Sequence, residues 1–286
     1  MRAAYLQFAP AYLEVDQNLA AVESLLRSVE ADLIVLPELF TSGYFFQSKD
    51  DLERVAEPIP NGKSVAALRG WADSLGATLV AGLAERDGDH FYNSAVVVRP
   101  DGRVDTYRKV HLFYEETILF EAGDLGFRVF EEHTAAGTSY RLGVMVCFDW
   151  YFPEAARTLA LRGADVIAHP SNLVLPHCPD SMPVRARENH VFTITANRHG
   201  REEKEGESLR FIGMSEVCAP SGTILTRADE SADVVEVVEL NPREARDRNI
   251  NAHNDVLQDR RPATYAATSE EGQALESGSY CDSCTA

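Results

Sequence analysis

Gly143-Val144-Met145-Val146-Cys147-Phe148-Asp149-Trp150-Tyr151-Phe152-Pro153-Glu154 is an apolar run that stops at a thiol and then turns into a helix start. The residues before Cys147 read as a short buried strand. Pro153 and Glu154 suit a first helical turn, where a missing N–H and a negative charge are both tolerated. A cysteine between a strand end and a helix N-terminus stands where positive potential lowers a thiol pKa. The expectation is therefore a thiolate nucleophile at Cys147.

Outward from this segment, strand-like and helix-like stretches alternate. Strands are expected at Ala3 to Phe8, Leu33 to Leu36, Thr78 to Ala84, Ser94 to Val98, Val104 to Val110 and Leu142 to Val146. Further strands are expected at Asp165 to Ala168, Val191 to Ala196, Met214 to Ala219, Thr223 to Arg227 and Val234 to Leu240. Asp16 is the expected cap of a helix whose apolar face is Leu19, Val22, Leu25, Leu26 and Val29. Ser64 to Leu75 reads as a helix stopped by Gly76, Phe152 to Leu161 as another, Pro183 to Glu188 as a third, and Pro242-Arg243-Glu244 opens a last one. Arg86-Asp87-Gly88-Asp89 is a hairpin signal. Hairpins flanked by crossover helices predict an α/β chain with mixed sheets and helices outside them. One domain is expected over residues 1–262. Residues 263–286 are small and polar, and are expected to be disordered or to order against another subunit.

The bulk composition narrows the function. Lys plus Arg number 27 against 45 Asp plus Glu, a net charge of −18. That balance repels phosphate backbones and anionic membranes, so neither nucleic acid nor membrane is an expected partner. Met1 to Phe8 runs into Ala9-Pro10 without the apolar region of a signal peptide, and no stretch reaches the length of a membrane span. Cys147, Cys178, Cys218, Cys281 and Cys284 are few, odd in number and scattered, which suggests a reducing, cytoplasmic setting. Cys281-Asp282-Ser283-Cys284 lacks the strand–helix context of a redox motif, and the histidines show no zinc spacing.

Three further segments carry charge in apolar surroundings. Glu38 follows an apolar strand in Leu36-Pro37-Glu38-Leu39-Phe40, where poor solvation raises a carboxyl pKa toward a general base's range. Alone it could equally be an exposed loop acid. Lys109, in Tyr107-Arg108-Lys109-Val110-His111-Leu112-Phe113, shares a strand face with Tyr107 and His111. It could project into a site as an oxyanion clamp, or be a solvated edge lysine. Glu116 belongs to the Glu115-Glu116 doublet, of which at least one member is expected on the surface.

In this order and at these separations, Leu36 to Phe40, Tyr107 to Phe113 and Gly143 to Glu154 resemble the nitrilase (carbon–nitrogen hydrolase) superfamily. The resemblance spans about residues 1–262. Echoes include Thr41-Ser42-Gly43-Tyr44, Tyr92-Asn93-Ser94, Phe120-Glu121-Ala122-Gly123-Asp124, His169-Pro170-Ser171-Asn172 and Ile212-Gly213-Met214-Ser215. It implies a four-layer αββα sandwich. Glu38 is then the general base, Lys109 the stabiliser of the tetrahedral intermediate, Cys147 the nucleophile and Glu116 the second glutamate near the triad. The Phe148 backbone N–H would share the developing charge. Tyr44, Tyr114, Trp150 and Phe40 would wall the pocket, and Asn172 could donate to substrate. Arg185 and Arg187 would border the site, either free for a substrate carboxylate or paired with Glu188 or Asp180.

The chemistry so implied needs no metal or organic cofactor. The expected substrate is a small aliphatic amide. Alternatives are an aliphatic nitrile, then an N-carbamoyl amine, and a non-enzymatic binding partner of the same fold. At least a homodimer is expected.

Overall fold

The computed structural model describes residues 1–265. They fall into two compact units, Met1–Asp247 and a segment beginning at Arg248. Cys281, Cys284 and most of the expected polar tail lie outside the described residues.

The first unit opens with β1 (Arg2–Gln7), α1 (Val15–Leu26), β2 (Leu33–Val35), α2 (Lys49–Val55), α3 (Lys63–Leu75), β3 (Thr78–Asp87), β4 (His90–Val98) and β5 (Val104–Arg108). It continues through α4 (Glu116–Leu119), β6 (Val129–His133), β7 (Ser139–Val144), α5 (Pro153–Leu161), β8 (Val166–Ser171), α6 (Cys178–Asn189) and β9 (Phe192–Asn197). It closes with β10 (His199–Lys204), β11 (Glu207–Ile212), β12 (Glu216–Cys218), β13 (Ile224–Arg227) and β14 (Val234–Glu239). The segment from Arg248 carries a short pair, Asn249–Asn251 with Asn254–Asp255.

Two six-stranded mixed sheets form the centre, ordered β14-β1-β2-β3-β4-β5 and β13-β12-β9-β8-β7-β6. In each, three parallel strands (β1-β2-β3 and β7-β8-β9) are flanked by antiparallel neighbours. Alternation along β1 and β3 sends Ala4, Leu6, Leu79, Ala81 and Leu83 outward. There they bury against Leu19, Val22 and Leu26 of α1 and Val65, Leu68 and Ala72 of α3. The other sheet carries α5 and α6, and β1, β2 and β3 face β8 and β9 across the interior. The layers are the expected αββα.

The differences from the sequence reading have local causes. Asp16 does not cap α1; it lies in the first turn and pairs with Lys63. Helix α6 begins at Cys178, not at Pro183. Pro183 removes the N–H that would bond the Pro179 carbonyl, and Arg227 Nη2 donates to that carbonyl instead, at 2.6 Å. The final helix is a short 3-10 turn, Pro242–Arg246. Several elements went unpredicted, among them α2, capped by Ser48 Oγ accepting from Asp51 N–H, the short helix α4, the edge strand β6, and the hairpin of β10 and β11. The hairpin is rich in Arg, Glu and Lys. Its turn residues Glu205 and Gly206 both have positive φ (49° and 89°), as a two-residue primed turn requires.

Candidate active site

Glu38 leaves the C-terminal end of β2, the middle parallel strand of its sheet. The next strand makes room for it with a glycine. A β-carbon on Gly82 would lie 2.4 Å from Glu38 Cα, inside any real contact. Gly82 also donates to Pro37 O at 3.1 Å and accepts from Phe40 N–H at 3.0 Å, fixing the turn that carries Glu38. Lys109 follows β5 and is held by its own backbone: its N–H donates to Asn93 O and its carbonyl accepts from Gly123 N–H, both at 2.8 Å. A β-carbon on Gly123 would strike Arg108 O at 2.0 Å. Glu116 starts α4, and its Oε2 accepts from Phe113 N–H at 3.3 Å.

These side chains converge where water is excluded. Lys109 and Glu38 are both 0% exposed. Lys109 Nζ donates to Glu38 Oε1 at 2.7 Å and to Glu116 Oε1 at 2.8 Å. Asn93 Nδ2 donates to the same Glu38 oxygen at 2.7 Å, and Tyr44 OH to the same Glu116 oxygen at 2.7 Å. Glu38 Oε2 is buried and has no partner among the described residues. The Glu doublet is thereby resolved: Glu116 enters the cluster, and Glu115 pairs outward with Lys204 at 2.6 Å.

Cys147 begins a 3-10 turn with φ +40°, a left-handed conformation disfavoured for a residue with a β-carbon. Helix α5 starts only at Pro153, so its N-terminus does not act directly on the thiol. Burial pushes the thiol well above its ordinary pKa, Glu38 and Glu116 push the same way, and Lys109 only partly opposes them. The expected resting thiolate is therefore corrected to a neutral thiol. Burial alone would push the Lys109 ammonium down, but Glu116 and Glu38 outweigh it and raise its pKa. Burial is also the main cause that raises Glu116, against the pull of Lys109. The thiol therefore shares its buried surroundings with the Lys109 ammonium and the Glu38 and Glu116 carboxyls.

A cavity opens at the thiol, bordered by Phe113, Phe148, Trp150, Asn172 and the Leu173–Leu175 stretch. The Asn172 side chain is buried with neither amide atom partnered by protein, and its backbone N–H faces the thiol. Tyr44 and Tyr114 do not border this cavity. They line a smaller one beside Glu116. The Tyr44 hydroxyl is taken by Glu116, and Tyr114, at φ +53°, is half exposed with its hydroxyl 3.3 Å from Glu207. Phe40 packs in the core between the helices and the first sheet. Arg185 is occupied by Trp150 O and Glu188.

Sequence reasoning missed Asn93 and His169 as members of the site. His169 is wholly buried, with Nε2 2.9 Å from Cys147 O and Nδ1 3.0 Å from Thr195 Oγ1. Burial drives its pKa down to about 4, so the ring is neutral. Both are polar residues inside otherwise apolar strands, which was the available signal.

The arrangement has relatives. The chain is 47% identical over 268 residues to a protein named nitrilase from Pyrococcus abyssi, covering 93% of this chain and 99% of that one. It is 31% identical to an N-carbamoylputrescine amidase of Arabidopsis thaliana, over 91% of this chain and 92% of that one. A solved structure of a mutant amidase from Nesterenkonia sp. AN1, with acrylamide added at its active-site cysteine, superposes with a TM-score of 0.75 at 28% identity. That match covers 93% of this chain and 98% of that one. The family profile described as carbon-nitrogen hydrolase matches residues 2–248, and this chain belongs to that family.

Proposed function

We propose that the protein is a thiol hydrolase that cleaves the C–N bond of a small aliphatic amide. The observation that carries this reading is the division of labour on Glu38. Oε1 is saturated by Lys109 and Asn93, while the buried Oε2 is unpartnered. In this reading Oε2 takes the Cys147 proton as sulfur attacks the amide carbon. The negative charge that forms on the carbonyl oxygen is met by Lys109 and the Phe148 backbone N–H, donors typically worth about 3–4 kcal/mol of barrier each. Glu38 passes the proton to the departing nitrogen, and ammonia leaves a Cys147 thioester. Water then gives a proton to Glu38 and its hydroxide to the acyl carbon. The acid is released and the thiol recovers its proton. Glu116 keeps Lys109 charged and aimed.

The cavity at the thiol is bordered by aromatic and aliphatic side chains and Asn172, with no charged side chain among them. That favours an uncharged, short acyl group over a cationic carbamoyl amine, since a buried charge needs a partner. Asn172 supplies both a donor and an acceptor for the substrate's amide. A second reading, hydrolysis of an aliphatic nitrile by the same residues, is favoured by the 47% identity to the Pyrococcus abyssi protein named nitrilase.

Ammonia release from small amides, N-carbamoyl amines and aliphatic dinitriles, wild type beside Cys147→Ala, tests the proposal. Release from amides that falls at least about 10⁴-fold in the variant is expected, as for loss of other covalent nucleophiles. Release from nitriles alone transfers the assignment to the second reading. Silence with a Cys147 that iodoacetamide labels no faster than Cys178 and Cys218 overturns both. The reading includes a cytoplasmic homodimer, in which a second copy covers Tyr151, Leu161 and Val184, exposed apolar residues on or beside α5 and α6. Light scattering showing a monomer at micromolar concentration would remove it.

A further inference from the structure

Lys109 and Cys147 belong to different sheets: Lys109 follows β5, an edge strand of the first, and Cys147 follows β7 of the second. No backbone ladder fixes one against the other. A buried carboxylate that takes no part in the proposed chemistry bridges them. Asp149 is 0% exposed. Its Oδ2 accepts from Tyr107 OH at 2.6 Å and from Val146 N–H at 2.9 Å. Its Oδ1 accepts from His111 N–H at 3.1 Å and stands 2.8 Å from His111 Nδ1. A carboxylate only accepts, so Nδ1 carries the hydrogen.

The identities of those partners matter. Tyr107 and His111 stand two residues before and two residues after Lys109, on the same side of the chain. Val146 immediately precedes Cys147, and Asp149 lies two residues beyond it. One carboxylate therefore clamps both flanks of the ammonium-bearing segment to the turn that presents the thiol. The partners are themselves fixed. His111 stacks on Phe152 with ring centres 3.8 Å apart, and Tyr107 stacks on Phe127 at 5.7 Å. Burial and the neighbouring carboxylate push the Tyr107 hydroxyl well above its ordinary pKa, which keeps it a donor. The clamp acts on a turn that needs holding, since Cys147 has φ +40°.

We propose that Asp149 is a positioning residue, setting the place of the Cys147 thiol relative to the Lys109 ammonium through Tyr107, His111 and Val146. The activity arm of its test rests on the hydrolase reading above, and the labelling arm does not. Asp149→Asn keeps the shape but turns one acceptor oxygen into a donor that faces N–H or O–H groups. In the full chain, turnover per labelled thiol should fall about 100-fold with KM within about threefold, the size expected of a misplaced reacting group. The rate of iodoacetamide labelling at Cys147 should fall about tenfold, since the thiol loses its aligned surroundings. Tyr107→Phe, which deletes one donor of four, should shift both in the same direction by less. His111→Asn, which retains a side-chain N–H, should keep more activity than His111→Ala.

A merely structural Asp149 gives a different pattern. The melting temperature drops, but the surviving protein, counted by moles of Cys147 labelled at completion, reacts and turns over like wild type. That result overturns the proposal. If Asp149→Asn does not fold, Tyr107→Phe decides by the same criteria. If wild type releases no ammonia from any C–N substrate, the hydrolase reading fails, and the labelling rates still judge Asp149.

Discussion

Arg108 and Lys109 are neighbours in sequence and each meets a cluster of acids, Lys109 a buried one and Arg108 one whose outer members Asp87 and Asp124 are exposed, yet the two clusters are built for different ends. Arg108 donates to Glu85 at 2.6 and 3.1 Å, to Asp87 at 2.8 Å and to Asp124 at 3.2 Å, and lies 3.8 Å over the Tyr92 ring. Ser94 Oγ donates to Glu85 as well. Neither the Arg108 guanidinium nor the Glu85 carboxylate keeps a buried atom without a partner. Lys109, one residue on, also meets two carboxylates, but Glu38 keeps a buried oxygen with nothing bound to it. A closed cluster contributes to the fold. An open one keeps a costly unsatisfied atom that folding alone would not select.

The comparison is most severely tested by removing each cation. Lys109→Met leaves Glu38 and Glu116 facing one another without a counter-charge. It is expected to cost about 3–5 kcal/mol of stability and, through loss of the proposed oxyanion donor, about 10²–10³-fold in turnover of whatever folds. Gly82→Ala pushes on Glu38 Cα without touching any charge, and about 100-fold loss of turnover is expected from displacing the proposed base. Arg108→Met leaves Glu85 buried and unpaired and is expected to cost a similar 3–5 kcal/mol. The protein that remains folded should nonetheless turn over at the wild-type rate. Urea denaturation beside steady-state kinetics measures all three. If Arg108→Met cuts turnover per folded molecule as deeply as Lys109→Met, the division into a closed and an open cluster collapses.

Sequence reasoning reached one side of this comparison more readily than the other. Cys147 stood out at the end of an apolar strand, strand alternation set Lys109 apart from Arg108, and Glu38 and Lys109 gained weight only from the order and spacing of the motifs that resemble the family. Their assembly into one cluster came from the resemblance and not from the residues themselves, because it depends on two sheets packing face to face. Mixed sheets with helices outside them could be read from the alternation of strand-like and helix-like stretches, whereas the four αββα layers rested on the family resemblance. The hairpin of β10 and β11 could not be read, because its strands are charged and only partly buried, without the alternation that marks a half-buried strand. That hairpin bears on the site: Glu202 of β10 accepts from Tyr44 N–H at 3.0 Å and Phe45 N–H at 2.6 Å, and so seats the loop that carries Tyr44 to Glu116. The thiolate expectation failed for a related reason. It weighed a helix N-terminus that begins six residues too late, and could not weigh the burial and the two carboxylates that dominate the thiol.

His169 sharpens the comparison from a third direction, because it is a closed buried cluster that works only while uncharged. Its ring is shared among Cys147 O, Thr195 and Ser171. Burial lowers its pKa from 6.5 to about 4 in the folded chain. The unfolded chain therefore takes up a proton first as the pH falls. The stability contributed by neutral His169 is fully present above about pH 6.5 and is lost as the pH drops toward 4. At about 1.4 kcal/mol per pKa unit, the loss is on the order of 3 kcal/mol. His169→Gln keeps a donor for the Cys147 carbonyl but cannot titrate. It should be less stable than wild type at pH 7, and the gap should narrow steadily between pH 6.5 and 4. Urea melts of the two proteins across that interval read the difference directly, since the other acidic groups are common to both. A constant gap would mean that the fold does not depress the pKa of the ring, and that the turn holding Cys147 tolerates a charged His169.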